Sequence, residues 1–191
     1  MTQGATDLCR LARTTAEDVR GFLSTVTEVA AGTAPEASLP LLLLTVSHLL
    51  STGARLGATQ DVVPDERFEP DAGPDPDVDA LRASLANVFE GVDEYPVVAD
   101  PVLGPEIEHC TMSGELVAIA GCLAQGLRHF ELDRPVEALW WWQFSYLSNW
   151  GVRATGVLGH VQSILAHLRL DVADDIAAEA EYDALQPPVS G

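Results

Sequence analysis

Six side chains in the second half of the chain have the types and spacing of a small-molecule site: Trp141, Ser145, Ser148 and Asn149, followed by Arg153 and His160. At about 100° per residue, Trp141, Ser145, Ser148, Asn149 and Val152 share one sector of a helix. Hydroxyl, amide and guanidinium groups beside an indole wall are what a binding pocket uses to orient a ligand with an apolar body. The same groups also have a purely architectural use. A buried Ser or Asn that bonds to backbone or to a facing helix escapes a penalty of about 1–3 kcal/mol. The polar sector therefore reads either as satisfied core or as the lining of a pocket.

Other residues with chemical potential fall short of a recognisable constellation. The five histidines, His48, His109, His129, His160 and His167, contain no i, i+4 pair and no H-E-x-x-H, so no metal site is expected. His48 and His160 lie on apolar segments, where a satisfied core histidine is the expectation. Asp75, Asp77 and Asp79 match the first ligand positions of a calcium loop. Ala80 then stands where the turn glycine belongs, and Ala86 where the bidentate glutamate belongs. Cys9, Cys110 and Cys122 are odd in number and form no C-x-x-C, which suggests neither a disulfide framework nor a zinc site. All ten basic residues are arginine, which excludes a Schiff-base lysine, a phosphate-loop lysine and a kinase strand lysine. No G-x-S-x-G, glycine-rich phosphate loop or dinucleotide fingerprint occurs, and no cofactor is expected.

The elements that must position these residues are helical. Thr14-Thr15-Ala16-Glu17 has the spacing of a capping box, with Val19, Phe22, Val26 and Val29 following at helical intervals and Gly32 closing. A second, centrally placed helix is predicted from near Ser38, with Pro40 in its first turn, to Gly53 or Gly57. Residues 61–76 hold four prolines among acids and predict a long acidic loop, and a third helix follows from about Asp77 to Glu90. Residues 92–111 show no stable period and read as a crossover. An amphipathic helix is expected from near Ser113 to Phe130, and Asp133 can cap the aromatic helix that carries all four tryptophans. On that helix Leu139, Trp142, Tyr146 and Trp150 share one apolar sector, while Trp140, Phe144 and Leu147 share another, which implies two neighbours. Trp150-Gly151 marks a bend or short break before a last core helix to about Leu168. Gly151, Thr155 and Gly159 form a small-residue stripe suited to close approach of another helix.

At 191 residues, with 47% hydrophobic residues, the chain can bury a single core: residues 14–170 as a helical domain, 1–13 as a flexible N-terminus and 171–191 as an acidic C-terminal tail. The net charge of −19 disfavours direct binding to nucleic acid or to anionic lipid. The acids concentrate in residues 61–79, 93–108 and 171–183, and Asp65, Glu66, Glu69 and Asp71 are candidates for docking a basic partner. The start lacks a basic segment followed by an apolar one. The most apolar run, Leu39 to Leu50, has twelve residues against the roughly 20 that a bilayer needs. A cytoplasmic location with no membrane contact is the expectation.

The segment Ala138-Leu139-Trp140-Trp141-Trp142-Gln143-Phe144-Ser145-Tyr146, followed by Asn149-Trp150-Gly151, resembles the bacterial family called domain of unknown function 5063. Pro40-Leu41-Leu42-Leu43-Leu44 and the acidic stretch from Asp61 to Pro70 are similar to its actinobacterial branch, so the likeness spans roughly residues 15–170. The resemblance implies a helical domain and transfers no catalytic residue. Many members carry a histidine where this chain has Asn149, which removes imidazole chemistry at that position. The resemblance also implies a link to DNA recombination or repair through a protein partner.

The combined expectation is an all-α, single-domain bundle of about six helices with a long acidic Pro-rich loop. Its function is that of a non-enzymatic interaction or accessory protein of the bacterial cytoplasm. The alternative is a small-ligand-binding or enzymatic bundle with its pocket on the aromatic helix.

Overall fold

The computed structural model describes residues 3–64, 78–100 and 104–184, with side chains described for residues 6–64, 78–98 and 106–170. Among them are six α-helices, one π-helical turn and one hairpin: α1 (Gln3–Ala30), α2 (Pro35–Ala58), α3 (Asp79–Val88), β1 (Glu94–Asp100), β2 (Gly104–Thr111), α4 (Met112–Glu131), α5 (Pro135–Ser145), the π-turn (Tyr146–Trp150) and α6 (Gly151–Ala184). The protein is an all-α bundle with a small two-stranded sheet appended.

Helix α1 starts eleven residues earlier than the capping box implies, and the N-terminal segment expected to be flexible is helical from Gln3. Ala12 and Thr15 are buried in register with Ala16, Val19, Phe22, Val26 and Val29, so one apolar stripe runs through the would-be cap. An Asp7–Arg10 pair at 2.8 Å supports the extra turns. Gly32, at φ +64°, ends the helix as expected.

Helix α2 packs against α1 and α6 through Ser38, Leu42, Val46, Leu49, Thr52, Gly53 and Leu56. It begins at Pro35, which leaves Pro40 inside the helix instead of in its first turn. At 24 residues, with a mean hydropathy of 1.4 over its best window, α2 is long and apolar enough to cross a membrane by length and composition. The twelve-residue run of the sequence understated it. The helix ends at Ala58, beside Gly57 as expected, and Gly53 and Gly57 also make room on it. A Cβ at Gly53 would stand 2.5 Å from Cδ2 of Tyr146 and 2.6 Å from Trp150, and one at Gly57 would stand 3.0 Å from Tyr146. The two rings lie in the groove that these glycines open.

Helix α4 and the aromatic helix are latched by adjacent indoles. Trp141 Nε1 donates to the Cys122 carbonyl at 2.7 Å and Trp142 Nε1 to the Leu123 carbonyl at 3.1 Å. Trp142 and Trp150 are fully buried, each removing about 150–250 Å² from water. The second apolar sector, by contrast, is only partly covered among the described residues: Trp140 is half-buried against the core, while Phe144 and Leu147 are 51% and 66% exposed. Downstream the chain widens into the π-turn, whose closing Gly151 N–H bonds to the Tyr146 carbonyl. The extra residue turns the polar sector off its ideal-helix direction. The Gly151/Thr155/Gly159 stripe receives no second helix either, since Thr155 is exposed and a Cβ at Gly159 would meet nothing within 4 Å.

Within the stretch 92–111, expected as an irregular crossover, β1 and β2 pair antiparallel, with Tyr95 opposite Cys110 and Val97 opposite Glu108. Pro96 hid the strand in the sequence, yet proline is tolerated where a strand lies at a sheet edge. The hairpin's base is tied to α4: Asp93 Oδ1 accepts from the Ser113 N–H and Oδ2 from the Ser113 hydroxyl, both at 2.7 Å, while Thr111 caps the same terminus through the Gly114 N–H. A carboxylate and a hydroxyl thus satisfy the N–H groups that open α4.

Candidate functional site

Side chains alternate across a strand, so Tyr95 and Val97 of β1 share a face with Cys110 and Glu108 of β2. That face looks at the π-turn and the start of α6. Between them lies a cleft of about 290 Å³ lined by Tyr95, Val97, Val98, Glu108, Cys110, Glu115, Ser148, Asn149, Val152, Arg153 and Gly156. An adjoining cavity of about 500 Å³ shares Tyr95, Val97, Val98, Val152 and Gly156, and continues along α6 to His160 and Ser163.

Arg153 organises the cleft. Its Nε donates to Asn149 Oδ1 and its Nη1 to Glu115 Oε1, both at 2.7 Å. Glu115 is 12% exposed and Arg153 38%, so this pair joins α4 to α6 in a half-buried setting. Tyr95 closes the inner end of the cleft. Its ring stacks on His160 with centroids 4.5 Å apart and planes 11° from parallel. His160 Nε2 in turn lies 2.7 Å from the Val92 carbonyl. His160 therefore fixes the hairpin's base against α6, as a satisfied structural histidine would.

Burial and nearby carboxylates shift the ionisable groups in and beside the cleft. Burial first, then the Glu115 carboxylate, push the Tyr95 hydroxyl well above its ordinary range. Burial, Glu115 and Glu108 raise the Cys110 thiol, and burial raises Cys122. Thiols moved in that direction remain protonated at neutral pH and are poor nucleophiles.

Of the six predicted ligand residues, the cleft gathers Ser148, Asn149 and Arg153, and His160 lines the adjoining cavity. Trp141 and Ser145 are elsewhere. The Trp141 indole is engaged on α4, and the buried Ser145 hydroxyl donates to the Trp141 carbonyl at 2.6 Å, which is the core reading of those two residues. Ser148 is exposed and its hydroxyl donates to the Phe144 carbonyl at 2.8 Å. Gln143 is a polar core residue that the sector analysis passed over. Its Oε1 accepts from the Val62 N–H at 2.9 Å, and its Nε2 donates to the Leu56 and Thr59 carbonyls at 2.9 and 3.2 Å, closing the end of α2. Tyr95, Glu108, Cys110 and Glu115 were also missed. Their only sequence signal was the alternation of Tyr95 and Val97 around Pro96. The docking candidates Asp65, Glu66, Glu69 and Asp71, and the calcium-like Asp75 and Asp77, lie outside the described residues.

A second polar cluster joins α1 to α2. Asp18 Oδ1 lies 2.9 Å from His48 Nε2, while Oδ2 accepts from Thr52 Oγ1 at 2.6 Å and Arg55 Nη2 at 2.7 Å. His48, expected in the core, is exposed at this pair. Burial opposes ionisation of Asp18, but the hydrogen bonds from Thr52 and His48, with the charges of His48 and Arg55, win and lower its pKa. The Thr52 hydroxyl donates to the aspartate and not to the imidazole, so the order nucleophile, base, orienting acid is not formed. The cluster serves as an interhelical tie. Among the described residues no group of three His, Cys, Asp or Glu side chains could hold a metal ion.

A helical bundle with an appended hairpin and a cleft between the two defines the class. Residues 6–167 match the family described as Domain of unknown function (DUF5063), and the chain belongs to that family. No curated protein matches the chain. Among solved structures, the crystal structure of protein BF1032 from Bacteroides fragilis is similar at 14% identity and a TM-score of 0.59, covering 78% of this chain and 89% of that one. At that identity the likeness shows the fold alone.

Proposed function

We propose that the protein is a non-enzymatic interaction protein that receives a partner on the surface around the cleft. The observation that carries this reading is the exposure of large apolar side chains there: Val98 (52%), Phe144 (51%) and Val152 (74%). Phe144 adjoins the cleft through Ser148, whose hydroxyl donates to the Phe144 carbonyl, and Val98 and Val152 both line the cleft. Burying an exposed Val or Phe side chain is worth about 1.5–3 kcal/mol, so a partner covering this surface gains several kcal/mol from it. A second reading, that the same cleft holds a small molecule, is supported by its enclosed volume and convergent polar groups.

The family resemblance suggests DNA recombination or repair, and the charge of −19 favours a protein intermediary over direct contact with DNA. The lysine-free composition supports an actinobacterial origin. The packing of the α2 stripe onto α1 and α6 supports a core helix over a membrane-spanning one, and the cytoplasm is the proposed location.

The test is quantitative crosslinking in the source cells with the wild type and with a Phe144→Asp/Val152→Asp variant. Both positions are exposed, so the variant should fold with a stability change of about 1 kcal/mol or less. A specific crosslinked partner should be lost in the variant. An unchanged crosslinking profile would sink the proposal.

A further inference from the structure

We infer that the cleft receives an aliphatic cation, the guanidinium or ammonium end of an arginine or lysine side chain presented by the partner protein, held between Glu108 and Tyr95. The source of the cation rests on the docking reading above; the site itself does not.

Tyr95 is the first support. The residue is 5% exposed, its hydroxyl sits over Gly156, where a Cβ would be 3.2 Å away, and that hydroxyl has no hydrogen-bond partner among the described residues. Tyr95 lines the cleft, so a ligand atom that enters there can bond to this hydroxyl.

Charge decides the sign of that ligand. Arg153 already bonds to Glu115 and Asn149, and the Glu115 carboxylate offsets its charge, so its pull on a second anion is weak. Glu108 has no ion-pair partner among the described residues, and a cation displaces nothing to reach it. Glu108 and Glu115 against Arg153 leave the cleft with one net negative charge, inside a chain of net charge −19. The field of the whole protein therefore draws cations toward it.

Shape supplies the remaining constraint. Val97, Val98 and Val152 form an apolar wall beside the carboxylate, which suits a methylene stem ending in a charge. A volume of about 290 Å³ accommodates one long side chain and falls at the low end for drug-sized ligands.

The experiment is an NMR titration of the full chain, methyl-labelled at valine, with four probes at constant ionic strength. The probes are N-acetyl-arginine amide, N-acetyl-lysine amide, the neutral N-acetyl-norleucine amide and acetate. The two cations should shift the Val97 and Val152 methyls and the Tyr95 ring saturably, with a Kd on the order of 1 mM, as small ligands with few contacts give. The neutral probe should bind about tenfold more weakly, and acetate should leave the cleft unperturbed. Glu108→Gln, at an exposed position, should fold normally and weaken cation binding about tenfold, and Tyr95→Phe, which keeps the ring, about threefold. Absence of saturable shifts at these residues, equal response to the neutral probe, preference for acetate, or a Glu108→Gln variant that binds as the wild type would each overturn the site.

A further arm fixes the source. An arginine-containing hexapeptide should bind more tightly than free 1,4-diaminobutane, and the reverse order would overturn the partner side chain as the occupant. The two proposals fail separately. If Phe144→Asp/Val152→Asp abolishes crosslinking while the cation probes leave the wild-type cleft silent, only the cation site falls. If the probes bind and crosslinking is unchanged in that variant, only the docking reading falls.

Discussion

Two glycines of α4 should respond to the same substitution with opposite signs. Gly121 and Gly126 both lie within the helix, where glycine is less favourable than alanine by about 0.8–1.0 kcal/mol. At Gly121 an added Cβ meets nothing within 4 Å, so Gly121→Ala should stabilise by about 0.5–1 kcal/mol. At Gly126 the same Cβ would fall 2.5 Å from Cδ1 and 2.6 Å from Cε2 of Trp142, and closer still to its Nε1. Trp142 is fully buried and its indole N–H is committed to the Leu123 carbonyl at 3.1 Å, so the ring cannot yield without losing that bond.

Overpacking costs about 1–3 kcal/mol and an orphaned buried donor about 1–3 more, against a propensity gain of about 1. The net is a destabilisation of about 3 kcal/mol. The variants should therefore differ by about 3–4 kcal/mol, which at about 2–4 °C per kcal/mol for a chain of this size is a gap on the order of 10 °C in Tm. Thermal denaturation followed by circular dichroism measures it, with near-ultraviolet dichroism reporting the indole environment. A Gly126→Ala protein as stable as Gly121→Ala, with an unchanged aromatic spectrum, would refute the seating of Trp142 on α4.

Further outcomes follow from the polar ties. The pKa of Asp18 is lowered in the folded protein, so its contribution is fully present above the unfolded aspartate value near 3.9 and is lost as pH falls through the folded value. The Tm difference between wild type and Asp18→Asn should be full at pH 5 and shrink below about pH 4; a difference that grows on acidification would contradict the Thr52, His48 and Arg55 contacts. For Arg153–Glu115, half-buried, Glu115→Gln should cost about 1–2 kcal/mol, between the values for exposed and buried pairs. A double-mutant cycle with Arg153→Gln in urea should return most of that as coupling, and additive losses would show that the two side chains do not act as a pair.

The bundle was legible in the sequence because its signals are local: apolar residues at helical spacing along α1, α4 and α5, and Gly32 at φ +64° closing α1. The cleft was not, because each of its parts depends on something the helical period cannot express. Prolines masked the strand whose alternation places Tyr95 and Val97 on one face with Cys110 and Glu108. Arg153 belongs to the site through Glu115, 38 positions away on another helix. Above all, the π-turn breaks the projection on which the polar sector was drawn. Trp141 and Ser145 precede it and serve the core, whereas Asn149 and Arg153 lie within and after it and reach the cleft.

Sequence around the π-turn shows what makes the widening tolerable. A Cβ at residue 151 would stand 2.5 Å from the Tyr146 carbonyl and 2.8 Å from its ring, so only glycine fits there. Gly53 and Gly57 of α2 open the groove that the Tyr146 and Trp150 rings occupy. Three glycines that look like helix ends or a packing stripe are together the cavity for one irregular turn. That turn carries the polar end of the aromatic helix out of the core and into the cleft wall where Asn149 and Arg153 stand opposite the hairpin. Substituting Gly53 or Gly151 should therefore disturb the cleft as well as the core, although neither glycine lines it.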